Sequence, residues 1–225
     1  MSARVGYQYL GLLMALNITF LLVSDFTGAR IISIAGVGVS VTVLYFPFTY
    51  LIGDILTEVY GYAEARRIIW ISIGCSIVGS LVAGSQLLVR PAVFFRDDPA
   101  YQTIFSLSPT IAIAGVLAYF AGDISTSYVM AKMKIWDQGR RLWLRFVSST
   151  VVGEGVNTAL FYGIALHGVL PARALARGTG MGWAVKVIVE VVMLPITYAV
   201  VRYLKRAEGT DHYDYGTDFN PFVLR

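Results

Sequence analysis

The sequence predicts an all-α integral membrane protein with six transmembrane helices and both termini in the cytoplasm. Three observations carry that expectation. First, 56% of the 225 residues are hydrophobic and 14% charged, with a mean hydropathy of +0.66; soluble domains run at roughly 45–50% and about 25%. Second, the apolar residues gather into six runs: Gln8–Ser24, Val41–Val59, Ile68–Val89, Ile104–Met130, Leu142–His167 and Met181–Leu204. Each is near the roughly 20 residues needed to cross a hydrocarbon core about 30 Å thick. Third, the basic residues divide unevenly between the two sides of such a bundle. One side holds Arg4, Arg66, Arg67, Lys132, Lys134, Arg140, Arg141, Arg145, Arg202, Lys205, Arg206 and Arg225, twelve in all, against five on the other, Arg30, Arg90, Arg96, Arg173 and Arg177. Cytoplasmic loops carry the excess of Lys and Arg, so the termini are expected inside, and an odd number of spans would spoil the separation.

The elements follow in chain order. The first run, after a short basic start at Arg4, imitates a secretory signal; with no convincing small-residue cleavage site behind it, it reads as the first span. Before the second run, Ile31–Ser40 contains Gly36 and Gly38, which suggest a turn or re-entrant segment rather than helix. Pro47 and Pro195 fall inside apolar runs, where kinks are tolerated because neighbouring helices satisfy the freed carbonyls. The third run, with Gly74, Ser76, Gly79, Ser80, Gly84 and Ser85, has the small residues of a close-packed helix. The fourth has a start signal at Ser108-Pro109, proline being favoured at a helix's first position. Spans of this length leave short loops, so residues 1–225 form one membrane domain, ending in a polar and aromatic tail, 208–225, that either packs against the cytoplasmic face or frays.

Composition also excludes. The net charge of +4 and pI near 9.2 suit basic loops beside anionic lipid, so the expected partner is the bilayer and not nucleic acid. A lone cysteine, Cys75, allows no internal disulfide. No Gly-rich phosphate loop occurs, so no nucleotide hydrolysis is expected. His167 and His212 are far apart, without a metal-ligand spacing, and no serine nucleophile has an evident base. Neither an enzyme nor a bound cofactor is expected, and a homo-oligomer is compatible with the sequence.

Ionisable side chains at membrane depth are expensive, face the bundle interior and mark pathways or sites. Asp54 and Glu58 lie four apart in the second run, Asp123 in the fourth, Glu154 and Asn157 three apart in the fifth, and Lys186 and Glu190 four apart in the sixth. Glu58, near the cytoplasmic end beside Arg66 and Arg67, suits an interfacial ion pair. Lys186 and Glu190 either neutralise each other or, since lysine before acid is the weaker order on one helix, Lys186 pairs with another helix. Asp54, Glu154 and Asn157 lie deeper and read as binding residues, with Asp123 between the cases. Asn17 and Gln86 read as interhelical hydrogen-bond links. Phe46, Phe48 and Tyr50, around Pro47, are either core packing or a stacking surface for a planar ligand. Together these groups fit a transporter of a polar, planar cargo.

Longer motifs add a resemblance. The run from Phe46 through Gly53, Asp54 and Glu58 to Gly61, with Ala65–Trp70 after it, closely resembles the signature of the queuosine precursor transporters, within the vitamin uptake transporter group. Ser148–Thr158, Lys186, Pro195–Tyr198 and Tyr213–Phe222 match in the same order along nearly the whole chain. The resemblance implies a fold similar to the substrate-binding components of energy-coupling-factor importers, and a place in the bacterial inner membrane. It also implies uptake of 7-cyano-7-deazaguanine, 7-aminomethyl-7-deazaguanine or a related 7-deazaguanine for tRNA modification. The alternative is a binding component for a vitamin or nucleobase that works with a separate ATP-driven module, for which Gly11 and Ala15 on the first helix offer weak small-residue spacing. The positions implied for function are Asp54, Glu154, Asn157 and Lys186. A deazaguanine offers N1–H and a 2-amine side by side, which one carboxylate accepts together. Glu154 is the first choice for that contact and Asp54 the second, with Asn157 or Lys186 on the O6 carbonyl and Phe46 or Phe48 stacked on the ring.

Overall fold

A computed structural model describes residues 6–28, 30–105, 109–165, 167 and 171–223. Of the residues invoked above, Arg4, Ser108 and Arg225 lie outside that set. The helices are α1 (Leu10–Thr27), α2 (Pro47–Tyr60), α3 (Tyr62–Ser85), α4 (Asp98–Phe105), α5 (Pro109–Trp136), α6 (Leu142–Ala165) and α7 (Ala172–Glu208), and strands β1 (Ile31–Ile34) and β2 (Val37–Ser40) join α1 to α2. Four helices, α1, α3, α5 and α7, are long and apolar enough to cross a bilayer. The protein is therefore a multi-pass, essentially all-helical membrane protein.

The other two long runs differ from the four for opposite reasons. Helix α2 has only 14 residues, about 21 Å at 1.5 Å per residue. Val41–Leu44, expected as its start, forms a separate 3-10 turn, and Pro47 sits at the first helical position instead of kinking an interior, where its missing N–H leaves nothing unsatisfied. Helix α6 has 24 residues, enough length, but Ser148, Ser149, Thr150, Glu154, Asn157 and Thr158 keep it from being an apolar span. Pro195 does lie inside α7. Helix α7 begins at Ala172, nine residues before the expected Met181, and α3 at Tyr62, six before Ile68. Ile104 belongs to the short α4, and α5 starts at Pro109.

The segment Ile31–Ser40 is an antiparallel hairpin with Ile34 opposite Val37. Its two-residue turn, Ala35-Gly36, has φ of +49° and +76°, the paired positive values of a turn whose twist matches that of the strands.

Burial is arranged inside out. Twelve residues of α2 are buried, and its Leu51, Ile55, Leu56 and Val59 pack with Leu13 of α1, Ile68 of α3, Met130 of α5, Phe146 of α6 and Leu204 of α7. Helix α2 is thus the axis around which the longer helices stand, which hides its short length from lipid. The outer faces are apolar: Val78, Leu81 and Val82 on α3, Ile113 and Leu117 on α5, and Ile188, Val192 and Ile196 on α7 are exposed. Lipid tails solvate such faces, while the polar groups turn inward.

Helices α5 and α6 approach closely at Gly122 and Gly153. A Cβ on Gly153 would lie 2.9 Å from the Gly122 carbonyl oxygen and would collide with Thr126 Oγ1. Small residues allow this contact where no hydrophobic effect drives helices together. Gly153→Ala should therefore destabilise the bundle by about 1–3 kcal/mol, read as a lower melting temperature of detergent-purified protein; an unchanged value would refute the close approach.

Candidate functional site

Lysine 186 organises the interior. Its Nζ donates to Glu154 Oε2 at 2.7 Å, to Asn157 Oδ1 at 3.0 Å and to Thr158 Oγ1 at 3.3 Å, which uses all three ammonium donors. The helix period explains the trio, since residues 154, 157 and 158 lie on one face of α6. Lys186 is 6% exposed and Glu154 fully buried. The ammonium also stands 4.7 Å from the centre of the Phe46 ring, a cation–π contact. The partner of Lys186 is thus on another helix, not Glu190 one turn along α7.

Around this pair lie groups that the protein only partly satisfies. Asp54 on α2 accepts from the Ser149 hydroxyl at 2.9 Å through Oδ2, a proton that also faces the Phe146 carbonyl at 2.8 Å. Among the described residues, Asp54 Oδ1, both oxygens of Asp123, Glu154 Oε1, Glu190 Oε1, Asn17 Oδ1 and the Tyr50 and Tyr119 hydroxyls are buried without a hydrogen-bond partner. They come from α1, α2, α5, α6 and α7 and converge on one interior. Buried polar groups normally find partners, so such a concentration makes this interior the candidate site. A cavity of about 10 Å³, lined by Leu21, Asp25, Ile73, Ser76 and Tyr119 among others, lies on its α1–α3–α5 side, where Ser76 donates to Asp25 at 2.5 Å.

The sequence-derived candidates separate here. Glu154, Asn157, Lys186 and Phe46 form one contact group, and Asp123 has Glu154 and Lys186 as charged neighbours. Asp54 has Glu190, Asp123 and Glu58 as its charged neighbours. Phe48 stacks on Phe20 of α1, with centroids 5.2 Å apart and planes 20° apart. Asn17 is buried beside the Tyr119 hydroxyl, whereas Gln86 is exposed and its Oε1 accepts from the Tyr101 hydroxyl of α4 at 3.0 Å. Asp25, Tyr119 and Ser149 escaped the sequence reading. An acid at the end of an apolar run is a readable signal for Asp25; the other two carry none.

A second charged layer closes the end where α2, α5 and α7 finish and α3 and α6 begin. Glu58 Oε1 faces Lys205 Nζ at 2.6 Å, Arg145 Nη2 at 3.0 Å and Lys134 Nζ at 3.6 Å. Instead of one interfacial pair, Glu58 is a fully buried hub for cations from three helices. Arg145 also holds Asp137 through both carboxylate oxygens, at 2.8 and 2.9 Å. Lys134 donates to the Glu58 carbonyl, to Asp211 and to the His212 carbonyl, each at 2.6 Å. The tail packs across this end. The Asp214 carboxylate accepts the Tyr62 N–H at the start of α3, Arg66 Nη1 donates to the carbonyls of Asp218 and Asn220 at 2.7 Å each, and Trp70 Nε1 donates to that of Pro221 at 2.8 Å. Gly61, between α2 and α3, has φ +88°, and a Cβ there would strike the His212 ring.

Residues 40–200 match the family described as "Putative vitamin uptake transporter". The chain belongs to the vitamin uptake transporter family. It is 30% identical over 156 residues to the "Probable queuosine precursor transporter" of Bacillus subtilis strain 168, covering 69% of this chain and 68% of that protein. It is 28% identical over 134 residues to the "Queuosine precursor transporter" of Escherichia coli strain K12, with 60% and 58% covered. A third relative, the "Probable queuosine precursor transporter" of Haemophilus influenzae, is 27% identical over 130 residues, with 55% and 50% covered. No solved structure gives a significant match. The matched family segment, residues 40–200, contains Asp54, Asp123, Glu154, Asn157 and Lys186 together.

Proposed function

We propose that this chain imports queuosine precursors, 7-deazaguanine bases such as 7-cyano-7-deazaguanine and 7-aminomethyl-7-deazaguanine, across the bacterial cytoplasmic membrane. The observation that carries the reading is the fully committed Lys186, bound to Glu154, Asn157 and Thr158, amid buried acceptors left without protein partners. A base with several ring donors and one carbonyl supplies what those acceptors lack, and the names of the relatives point to the same chemical class. In this reading α1, α2, α3, α5, α6 and α7 make six crossings, α2 being shielded by the rest. The fold is similar to the substrate-binding components of energy-coupling-factor importers. The Glu58 layer and the tail face the cytoplasm, as the charge bias requires. Asp54, Asp123, Glu154, Asn157, Lys186 and Phe46 line the cargo route.

The test is uptake of radiolabelled precursor by liposomes containing the purified chain and no ATPase. Saturable uptake is expected, reduced at least about tenfold by Glu154→Gln, as befits loss of a buried charge-assisted contact. Binding without uptake would instead make the chain a binding component of an ATP-driven importer. Wild-type uptake by Glu154→Gln at normal membrane levels would remove Glu154 from the route.

A further inference from the structure

The interior carboxylates differ in what they leave for a ligand. Glu154 gives Oε2 to Lys186, Asp54 gives Oδ2 to Ser149, and Glu190 has Oε1 unpartnered. Asp123, 3% exposed, has both oxygens buried and without a well-formed hydrogen bond among the described residues, the Tyr119 hydroxyl one turn back on α5 being the donor that faces it. A carboxylate that meets two adjacent donors needs both oxygens. Asp123 follows Gly122, where α5 carries no side chain. There a Cβ would collide with the Tyr50 hydroxyl and lie 2.7 Å from the Asn157 Cβ. Asp123 and Asn157 therefore flank one contact between α5 and α6.

Asn157 complements it. An ammonium only donates, so Lys186 fixes which way the amide is turned: Oδ1 meets Nζ at 3.0 Å, and the NH₂ group is directed elsewhere. The site thus has an amide donor on α6 and a two-oxygen acceptor on α5, on either side of the Gly122–Asn157 approach, while the charge of Glu154 is engaged by Lys186.

We infer that Asp123 and Asn157 read the edge of a guanine-type base, Asn157 donating to O6 and Asp123 accepting from N1–H and the 2-amine. The three ring groups are consecutive on such a base, which is why the amide and the carboxylate must be neighbours. The inference rests on the 7-deazaguanine reading and deepens it: the two-donor contact first expected of Glu154 passes to Asp123. A purely structural Asp123 would bond to a neighbouring helix, and its oxygens have no such partner among the described residues.

Thermal-shift titration of the detergent-purified full chain tests this, because a ligand of the folded state raises apparent stability by mass action. The probes are 7-cyano-7-deazaguanine, its 2-deamino analogue and its N1-methyl analogue. Wild type should prefer the parent base at least about a hundredfold over each analogue, since a site built to hydrogen-bond a group rejects ligands lacking it. Asp123→Asn should narrow both ratios to about tenfold or less, and Ser125→Ala, two residues on along α5, should keep them. Tight wild-type binding with little discrimination, or ratios retained by Asp123→Asn, would overturn the assignment and leave the substrate class standing. Absence of any deazaguanine binding by wild type would overturn both. Should Asp123→Asn fail to fold, the wild-type ratios alone decide, because a site indifferent to N1 methylation has no two-oxygen reader on that edge.

Discussion

Lys186→Met is expected to abolish precursor uptake and to lower the amount of folded protein in the membrane. The ammonium is the partner of a fully buried Glu154 carboxylate at 2.7 Å, and removing one member of a buried pair leaves an uncompensated charge, a loss of about 3–5 kcal/mol. Against a total stability of about 5–15 kcal/mol, that is enough to reduce the folded population. Asn157 and Thr158 lose their donor as well, so the orientation of the amide is no longer imposed.

The double variant Lys186→Met with Glu154→Gln separates folding from function. It removes the stranded charge, and replacing a buried ion pair by neutral groups of similar volume is often neutral or stabilising. Folded protein should return to near the wild-type level, measured by size-exclusion chromatography of detergent extracts. Uptake should stay at background, because the electrostatic and hydrogen-bonding layout of α6 is not restored. A double variant that transports like wild type would reduce the pair to a structural brace and withdraw Lys186 from the route.

How much of this was legible in the chain differs by level. Hydropathy marks the long apolar helices, because it depends on composition summed over many residues. Hydropathy runs Val41–Leu44 together with α2 because the two stretches are equally apolar; only geometry distinguishes a 3-10 turn from a first helical turn. Gly36 and Gly38 mark Ile31–Ser40 as a turn or re-entrant segment and not helix, but the pairing of its two short strands around Ala35-Gly36, the pattern of a two-residue turn, is settled only by geometry. The depth of Asp54, Glu154 and Lys186 was readable from position within their runs. Their partners were not, since pairing between helices depends on rotation about each axis and on which helices are neighbours. The spacing of Lys186 and Glu190 leaves both an intrahelical pair and a partner on another helix open, and Lys186 takes the second, pointing at α6. Lys134, Arg145 and Lys205 entered the reading only as topogenic charges, and nothing local to their sequence marks three cations that meet on one buried glutamate.

That meeting carries the second large effect. Arg145→Met should lower the stability of the protein by about 3–5 kcal/mol while leaving the affinity of the surviving folded fraction for precursor unchanged. Arg145 is 1% exposed and joins Glu58 of α2 to Asp137 in the α5–α6 connection. Its planar group makes both contacts at once, which neither lysine nor methionine reproduces. Glu58 would keep Lys205 at 2.6 Å, whereas Asp137 would lose the partner that holds both its oxygens. Glu154, nine residues further along α6, lies about 13 Å deeper at 1.5 Å per residue, too far for direct coupling to Arg145; Asp54, one turn from Glu58 on α2, is the route residue that borders the charged layer. The same layer has a pH signature at its tail side. Burial pushes the Asp211 carboxyl upward, but hydrogen bonds and charges from Lys134 and Lys205 outweigh it and hold the group below the usual carboxylate range. A carboxyl depressed in the folded state stabilises it above the unfolded pKa of about 3.9, and that stabilisation disappears as pH falls through the folded value. The melting-temperature gap between wild type and Asp211→Asn should therefore be constant from about pH 8 to about pH 5 and close below about pH 4. A gap that closes near neutrality would mean the Lys134–Asp211–Lys205 clamp is not formed, and a folded Arg145→Met protein with wild-type stability would mean Glu58 is held by its lysines alone.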